Sequence, residues 1–258
     1  MDLRNRRVKW IATWSLFVVL LLIILIVCLL RVGRTDPGPS PTKLLLISLD
    51  GFHYRYMEQF PNETQFLRQH FAEKGVHAER GMRSVFATKT FAIHWTLATG
   101  LYEESHGILG NSFYDPIFNE TFSCLTANES KWFDGEPIWS VAQKQGRRVG
   151  VSQWMGSAVT FPDDRQSPNL LDPHETCLSA NDIRQKLVNV HDFLFDKGAD
   201  FVMLYFHEPD SSGHWYGASS DGVGRALAAI DSALRDFVAT LPDDNINIII
   251  LSGSTNNH

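Results

Sequence analysis

Four residues stand where their types and surroundings suit chemistry: Asp50, Thr90, Asp210 and His214. Asp50 follows the apolar run Leu44 to Ile47, and Gly51 behind it permits a tight turn. Asp210 follows a second apolar run, Phe201 to Phe206, with His214 four residues further on. Carboxylate oxygen and imidazole nitrogen are ordinary zinc ligands. A threonine alcohol is barely ionised near neutral pH and needs activation before it can attack. A bound metal supplies that activation and also neutralises phosphate oxygens. Thr90 beside a metal held by Asp50 is therefore a candidate nucleophile for phosphoryl transfer. Spacing alone does not decide this, because an Asp after a strand also suits a turn, and Asp-x-x-x-His also suits a solvated surface.

The elements that must position these residues are legible in the hydrophobic pattern. Short continuous apolar runs at Leu44–Ile47 and Phe201–Phe206 read as buried strands, Arg148–Ser152 reads as a further strand and Ile246–Leu251 as a final apolar one. Between them lie helical patterns at Asn62–Lys74, stopped by Gly75, and from Pro137 to Gly146. Ile183, Leu187, Val190 and Leu194 form an amphipathic stripe, and Val223, Leu227, Ile230, Leu234, Phe237 and Leu241 form another. Strands alternating with helices predict an α/β domain with a mainly parallel sheet. In such sheets ligands gather at the carboxyl ends of the strands, where Asp50 and Asp210 fall. The segment His207 to His214 contains Pro209 and Gly213 and reads as a loop.

The N-terminus carries a separate signal. Arg4, Arg6, Arg7 and Lys9 precede an uncharged run from Ile11 to Leu30. Twenty residues at about 1.5 Å each span roughly 30 Å, the thickness of a bilayer core. A cleaved signal peptide has a shorter apolar core and a small-residue cleavage site; here Arg31 follows directly. The expected organisation is a cytoplasmic tail (1–10), a transmembrane signal anchor (11–30), a Pro-rich linker (31–42) and a domain from 43 to 258. The charge bias makes this a single-pass type II protein whose domain is extracellular or lumenal. Three glycosylation sequons, at Asn62, Asn119 and Asn128, lie beyond the span. Cys124 and Cys177 also lie beyond it and can pair in an oxidising compartment or remain two free thiols. A net charge of −6 and the lack of a basic patch beyond the N-terminus argue against a nucleic-acid surface. The span contains no glycine, so no GxxxG dimer motif, and protein partners are not specified.

Motifs in order sharpen the chemical reading: ISLDGF from Ile47, KTF-x-x-H from Lys89, TGLY-x-ESHGI from Thr99, N-x-x-YDP from Asn111, GEPIW from Gly135 and EPDSSGH from Glu208. Together they closely resemble the ectonucleotide pyrophosphatase/phosphodiesterases of the alkaline-phosphatase superfamily. The resemblance runs from about Lys43 to Leu251. It implies an alkaline-phosphatase-like fold and zinc-dependent hydrolysis of phosphodiester or pyrophosphate bonds, with two zinc sites. The substrates it implies are extracellular nucleotides or related diesters, the family being divided between nucleotides and choline-containing lipids. Thr90 matches the nucleophile, which also touches a zinc; Asp50 matches a ligand of that zinc; Asp210 and His214 match ligands of the other. Asn111 matches the asparagine that donates to a phosphate oxygen. Phe91 and Trp154 match the region of the substrate pocket, as do Gly156 and Ser157.

Departures from the pattern carry equal weight. Ala92 and Ile93 replace Pro and Asn after KTF, Met155 replaces a proline, and Glu103 replaces a proline in what reads as a surface turn, a neutral change. After Leu251 the pattern calls for Ser-Asp-His-Gly, but the sequence is Ser252, Gly253, Ser254, Thr255. The expected Asp-His pair of the nucleophile-side zinc is absent, as is a later histidine of the other, and His258 is not expected to replace them. Catalytic zinc normally has three protein ligands. The sequence thus predicts a C-terminally truncated, partial catalytic domain with doubtful zinc occupancy. The alternative to hydrolysis is a catalytically silent membrane glycoprotein.

Overall fold

The computed structural model describes residues 42–173, 182–242 and 246–253. The expected membrane span and the linker up to residue 41, together with Cys177 and His258, lie outside the described residues. Among the described residues no helix is long and apolar enough to cross a membrane.

The four expected strands are present as β1 (Lys43–Leu49), β4 (Val149–Ser152), β6 (Phe201–Phe206) and β7 (Ile246–Leu251). They join a short fifth strand, β5 (Leu170–Asp172), in one parallel sheet of order β5-β4-β6-β1-β7. Strands β2 (Ser112–Asp115) and β3 (Glu120–Ser123) form a separate antiparallel hairpin that the apolar-run criterion misses, because its residues are largely exposed.

The pleat sends alternate side chains to opposite faces. Leu45, Ile47 and Leu49 of β1, with Val202, Leu204 and Phe206 of β6, face one core. That core is closed by α5 (Ile183–His191) and α7 (Asp221–Val238), through Leu187, Val190, Ile230 and Leu234. Phe201, Met203 and Tyr205 face the other core, which is rich in Trp95, Trp139 and Trp154. It is built by α2 (Thr90–Thr99), α4 (Ile138–Lys144) and the hairpin, while α1 (Tyr56–Gln59) and α3 (Glu103–His106) are single turns. Alternation along β1 therefore assigns Ser48 and Asp50 to the α2 side of the sheet.

Two expectations are corrected. The segment expected as a loop at 207–214 contains α6 (Asp210–Tyr216), a seven-residue helix. Pro209 occupies its N-cap position, where its missing N–H is not needed, and the Glu208 carboxylate accepts from Ser212 N at 2.9 Å. Pro209 thus marks a helix start, and Gly213 lies within the helix rather than in an irregular loop. The helical stretch expected at Asn62–Lys74 is present but shorter, over 65–72, and is wound as a π-helix at Leu67–Ala72. Its entry is held from a distance: buried Asp231 of α7 accepts from Phe66 N at 3.1 Å and Leu67 N at 2.8 Å.

Asp231→Ala strands both amides and is expected to cost about 1–3 kcal/mol, read from urea unfolding. A second test uses Lys186, which is buried on α5 with its ammonium 5.2 Å from the Phe206 ring centre. Loss of water holds it down to about 8, against the opposing pull of Asp172. Between pH 8 and roughly pH 10 the unfolded chain keeps this proton and the folded chain releases it, so stability rises with pH. Lys186→Met should remove that rise, measured as urea midpoints at about pH 7 and about pH 9.5.

Candidate active site

The site forms at the carboxyl end of the central strands. Asp50 N donates to Phe206 O at 2.8 Å, and Asp210 N donates to Asp50 O at 2.9 Å. These two bonds fasten the turn after β1 to the turn after β6. The residues singled out on β1 and β6 in the sequence are brought together by backbone pairing before any side chain acts.

Asp50 is almost fully buried, 1% exposed. Its Oδ1 accepts from Gly51 N at 3.1 Å. Its Oδ2 accepts from the Thr90 hydroxyl at 3.1 Å and from the Tyr205 hydroxyl at 2.9 Å. Tyr205 lies on the α2 face of β6, as the pleat requires. Burial, then the Asp50 charge, raise the Tyr205 phenol well above its ordinary value, so it remains a donor.

Thr90 is the first residue of α2, which has no side-chain cap of its own. The Phe91 N–H of that first turn donates to Asn111 Oδ1 at 3.0 Å, where a helix offers no carbonyl of its own. A backbone N–H can only donate, so this bond fixes the Asn111 amide orientation and leaves Nδ2 as the end that can donate elsewhere.

His94, one turn along α2, is 0% exposed. Its Nδ1 lies 2.7 Å from the Thr90 carbonyl oxygen and its Nε2 2.8 Å from Ser48 Oγ. A carbonyl oxygen only accepts, so Nδ1 carries the proton and Nε2 accepts from Ser48. Burial lowers the His94 pKa against the opposing effects of Asp50 and the Thr90 bond, keeping the ring neutral. The neutral imidazole is a strut between β1 and the first turn of α2. Trp154 Nε1 donates to the His94 carbonyl at 3.0 Å from the opposite side.

Asp210 and His214 stand one turn apart on α6, with Oδ2 and Nε2 separated by 3.3 Å. Asp210 is largely covered and His214 is exposed. Two donors about 2.0–2.1 Å from a tetrahedral zinc lie roughly 3.3 Å apart. Both this pair and Asp50–Thr90 at 3.1 Å have that separation, so donor type and spacing fit zinc. Among the described residues, no group of three or more His, Cys, Asp or Glu is placed to hold a metal.

The substrate-pocket candidates are more enclosed than the exposed Asn111. Phe91 packs edge-on to Phe122 within the core, and Trp154 is 0% exposed. Ala92 and Ile93 are buried in an unbroken α2, so replacing Pro and Asn there leaves the helix intact. Glu103 is a correction. It is 7% exposed rather than a neutral surface residue, and its Oε1 accepts from Ala87 N at 2.8 Å, tying down the chain just before Thr90. Asn62, Asn119 and Asn128 are all exposed, although Asn119 Oδ1 accepts from the Tyr114 hydroxyl at 2.8 Å. Cys124 is disulfide-bonded.

Tyr205, Ser48 and the role of His94 escaped sequence reasoning. The available signal was positional: Ser48 and Asp50 share strand parity, and Tyr205 precedes the turn that leads to Asp210.

Fold and site define an α/β protein of the alkaline-phosphatase-like kind, a mainly parallel sheet flanked by helices. Residues 44–253 match the family model of type I phosphodiesterases/nucleotide pyrophosphatases, and the chain belongs to that family. It is 35% identical over 244 residues to the bis(5'-adenosyl)-triphosphatase enpp4 of Xenopus laevis, covering 92% of this chain and 51% of that protein. Identity to the human ENPP4 is 36% over 245 residues, with 90% and 52% covered. Among solved structures, murine ENPP5 in an inactive threonine-to-alanine form in complex with AMP superposes with a TM-score of 0.70 at 28% identity, covering 82% of this chain and 56% of that one. The chain thus spans about half the length of these relatives.

Gly253 supplies a test of the strut. A Cβ there would sit 2.1 Å from His94 Cε1 and 2.7 Å from Nε2. Gly253→Ala should destabilise by about 1–3 kcal/mol through this overlap. In a His94→Ala background most of that cost should vanish, a coupling read by a double-mutant cycle in urea.

Proposed function

We propose that this chain carries the threonine-nucleophile side of a zinc-dependent site that cleaves phosphodiester or pyrophosphate bonds in nucleotides or related diesters. The observation that carries the reading is the Thr90 hydroxyl on the buried Asp50 carboxylate, 3.1 Å apart at the tip of a central strand. Asp50 and Thr90 would hold one zinc, Asp210 and His214 the other. Bound zinc would supply charge neutralisation at the phosphate and acidify the attacking hydroxyl.

The chain's own residues set the geometry of attack. Asp50 accepts the Thr90 proton-bearing hydroxyl and fixes the direction of its oxygen lone pairs. Thr90 is the first residue of α2, so the positive end of the helix dipole lies beside it, suited to an anionic phosphate. Asn111, anchored through Oδ1, offers its Nδ2 hydrogens to a phosphate oxygen, and such donors act most strongly when pre-aimed. Covalent transfer to Thr90 releases the alcohol or phosphate leaving group, and water then frees the product.

A membrane-anchored, outward-facing placement through residues 11–30 belongs to the same proposal. The disulfide at Cys124 and three exposed sequon asparagines support an oxidising compartment. Nucleotides are the favoured substrates on the names of the relatives, bis(5'-adenosyl)-triphosphatases and an AMP complex.

Gly253 favours a second reading. The place where the family pattern sets an acidic ligand is a glycine seated against His94, which suits a membrane glycoprotein that keeps the fold without turnover. The full chain in detergent, with added zinc and a chromogenic nucleotide phosphodiester, separates the two. Hydrolysis that drops on the order of a thousandfold or more in Thr90→Ala supports the enzymatic reading. No hydrolysis, with well under one zinc per chain, supports the silent glycoprotein.

A further inference from the structure

The sequence motifs assign Asp50 and Thr90 but give no part to Tyr205, whose hydroxyl reaches the same carboxylate oxygen. We propose that Tyr205 is a positioning residue for the Asp50–Thr90 pair, holding Oδ2 of Asp50 where that oxygen receives the Thr90 hydroxyl. The proposal rests on Thr90 as the attacking group, yet its physical content, restraint of Thr90 through Asp50, needs no metal.

A purely structural aromatic at this place would be phenylalanine. The ring lies with Phe201 and Met203 on an apolar face, and a buried hydroxyl costs free energy unless it is bonded. Here the hydroxyl donates to a carboxylate at 2.9 Å, a charge-assisted bond stronger than one to a neutral acceptor. A phenol is also a better donor than the threonine alcohol that shares Oδ2 at 3.1 Å. Gly51 N holds Oδ1 at 3.1 Å. The carboxylate is thus restrained at both oxygens, and the terminal torsion of Asp, otherwise broad, is set.

The Tyr205 ring touches the second support of Thr90 as well. It meets the His94 imidazole edge-on, with centroids 4.8 Å apart and planes at 86°. That imidazole holds the Thr90 carbonyl at 2.7 Å. One side chain therefore backs both the carboxylate that accepts from the Thr90 hydroxyl and the ring that donates to the Thr90 carbonyl. Threonine in a helix divides between two χ1 wells. The bond to Asp50 selects one of them, and Tyr205 keeps that bond in place.

The test compares the full chain with Tyr205→Phe and, as a surface control, Tyr114→Phe, all metal-free at first. Threonine methyl groups are isotopically labelled, and the Thr90 signal is assigned by its loss in Thr90→Ala. The expected result is a moved Thr90 methyl resonance and χ1 couplings averaged between wells in Tyr205→Phe, with the control and the folded spectrum unchanged. An unmoved Thr90 signal with wild-type couplings in a folded Tyr205→Phe overturns the proposal. Should that variant not fold, 3-fluorotyrosine at position 205 keeps the ring and strengthens the donor; a moved Thr90 resonance then supports the proposal and an unmoved one overturns it. Zinc is next titrated against a chromogenic chelator. Loss of a partner behind a ligating carboxylate should weaken zinc by about ten- to a hundredfold, and equal affinity counts against the role. A wild-type chain that takes no zinc defeats the metal reading by itself, and the metal-free spectra still decide Tyr205.

Discussion

A buried carboxylate must be satisfied, and that requirement organises the end of this sheet. Asp50 is 1% exposed, so water contributes little to its solvation. Its oxygens are met by the Gly51 amide, the Tyr205 phenol and the Thr90 hydroxyl, three groups from three different parts of the chain. Each is delivered by regular structure: the turn after β1, the inward parity of β6, and the first residue of α2. The chemistry available to Thr90 follows from this arrangement, because the oxygen that fixes the hydroxyl is itself fixed.

The strut beside it completes the restraint. Ser48, two residues before Asp50 on the same strand face, donates to His94, and His94 donates to the Thr90 carbonyl. Because both ring nitrogens are committed and the ring is dry, the imidazole stays neutral and acts as a spacer of fixed length. The space it fills is shared with Gly253, which explains why an acidic side chain at position 253 would require His94 to move. Changing Gly253 alone would therefore disturb the Thr90 support while supplying a carboxylate.

Much of this was legible before the structure. Apolar runs located β6 and β7 to the residue and β1 to within two, although of these only β6 is buried along its whole length and β7 is partly exposed. The motif order gave Asp50, Thr90, Asp210 and His214; backbone bonds join the turns of Asp50 and Asp210, and Thr90 meets Asp50 through its side chain. What stayed hidden was relational. Glu103 looked like a surface substitution because sequence does not reveal that Ala87 N would need an acceptor there. The α6 helix was masked by Pro209, which sits at its N-cap, and by Gly213, which is buried within it. Tyr205 resembled one more apolar strand residue until its hydroxyl could be traced to Asp50. Local pattern predicts elements; the partner of a polar atom is fixed only by the tertiary fold.

The proposed role of Asp50 and Thr90 as a metal-facing pair can be tested directly. Crystals of the protein grown with zinc, measured on both sides of the zinc absorption edge, should give an anomalous peak about 2.0–2.2 Å from Asp50 Oδ and bonding the Thr90 hydroxyl oxygen. A second peak between Asp210 and His214 would accompany it. Zinc peaks confined to other surface groups, with the 3.1 Å Thr90–Asp50 hydrogen bond intact and no density between them, would contradict it.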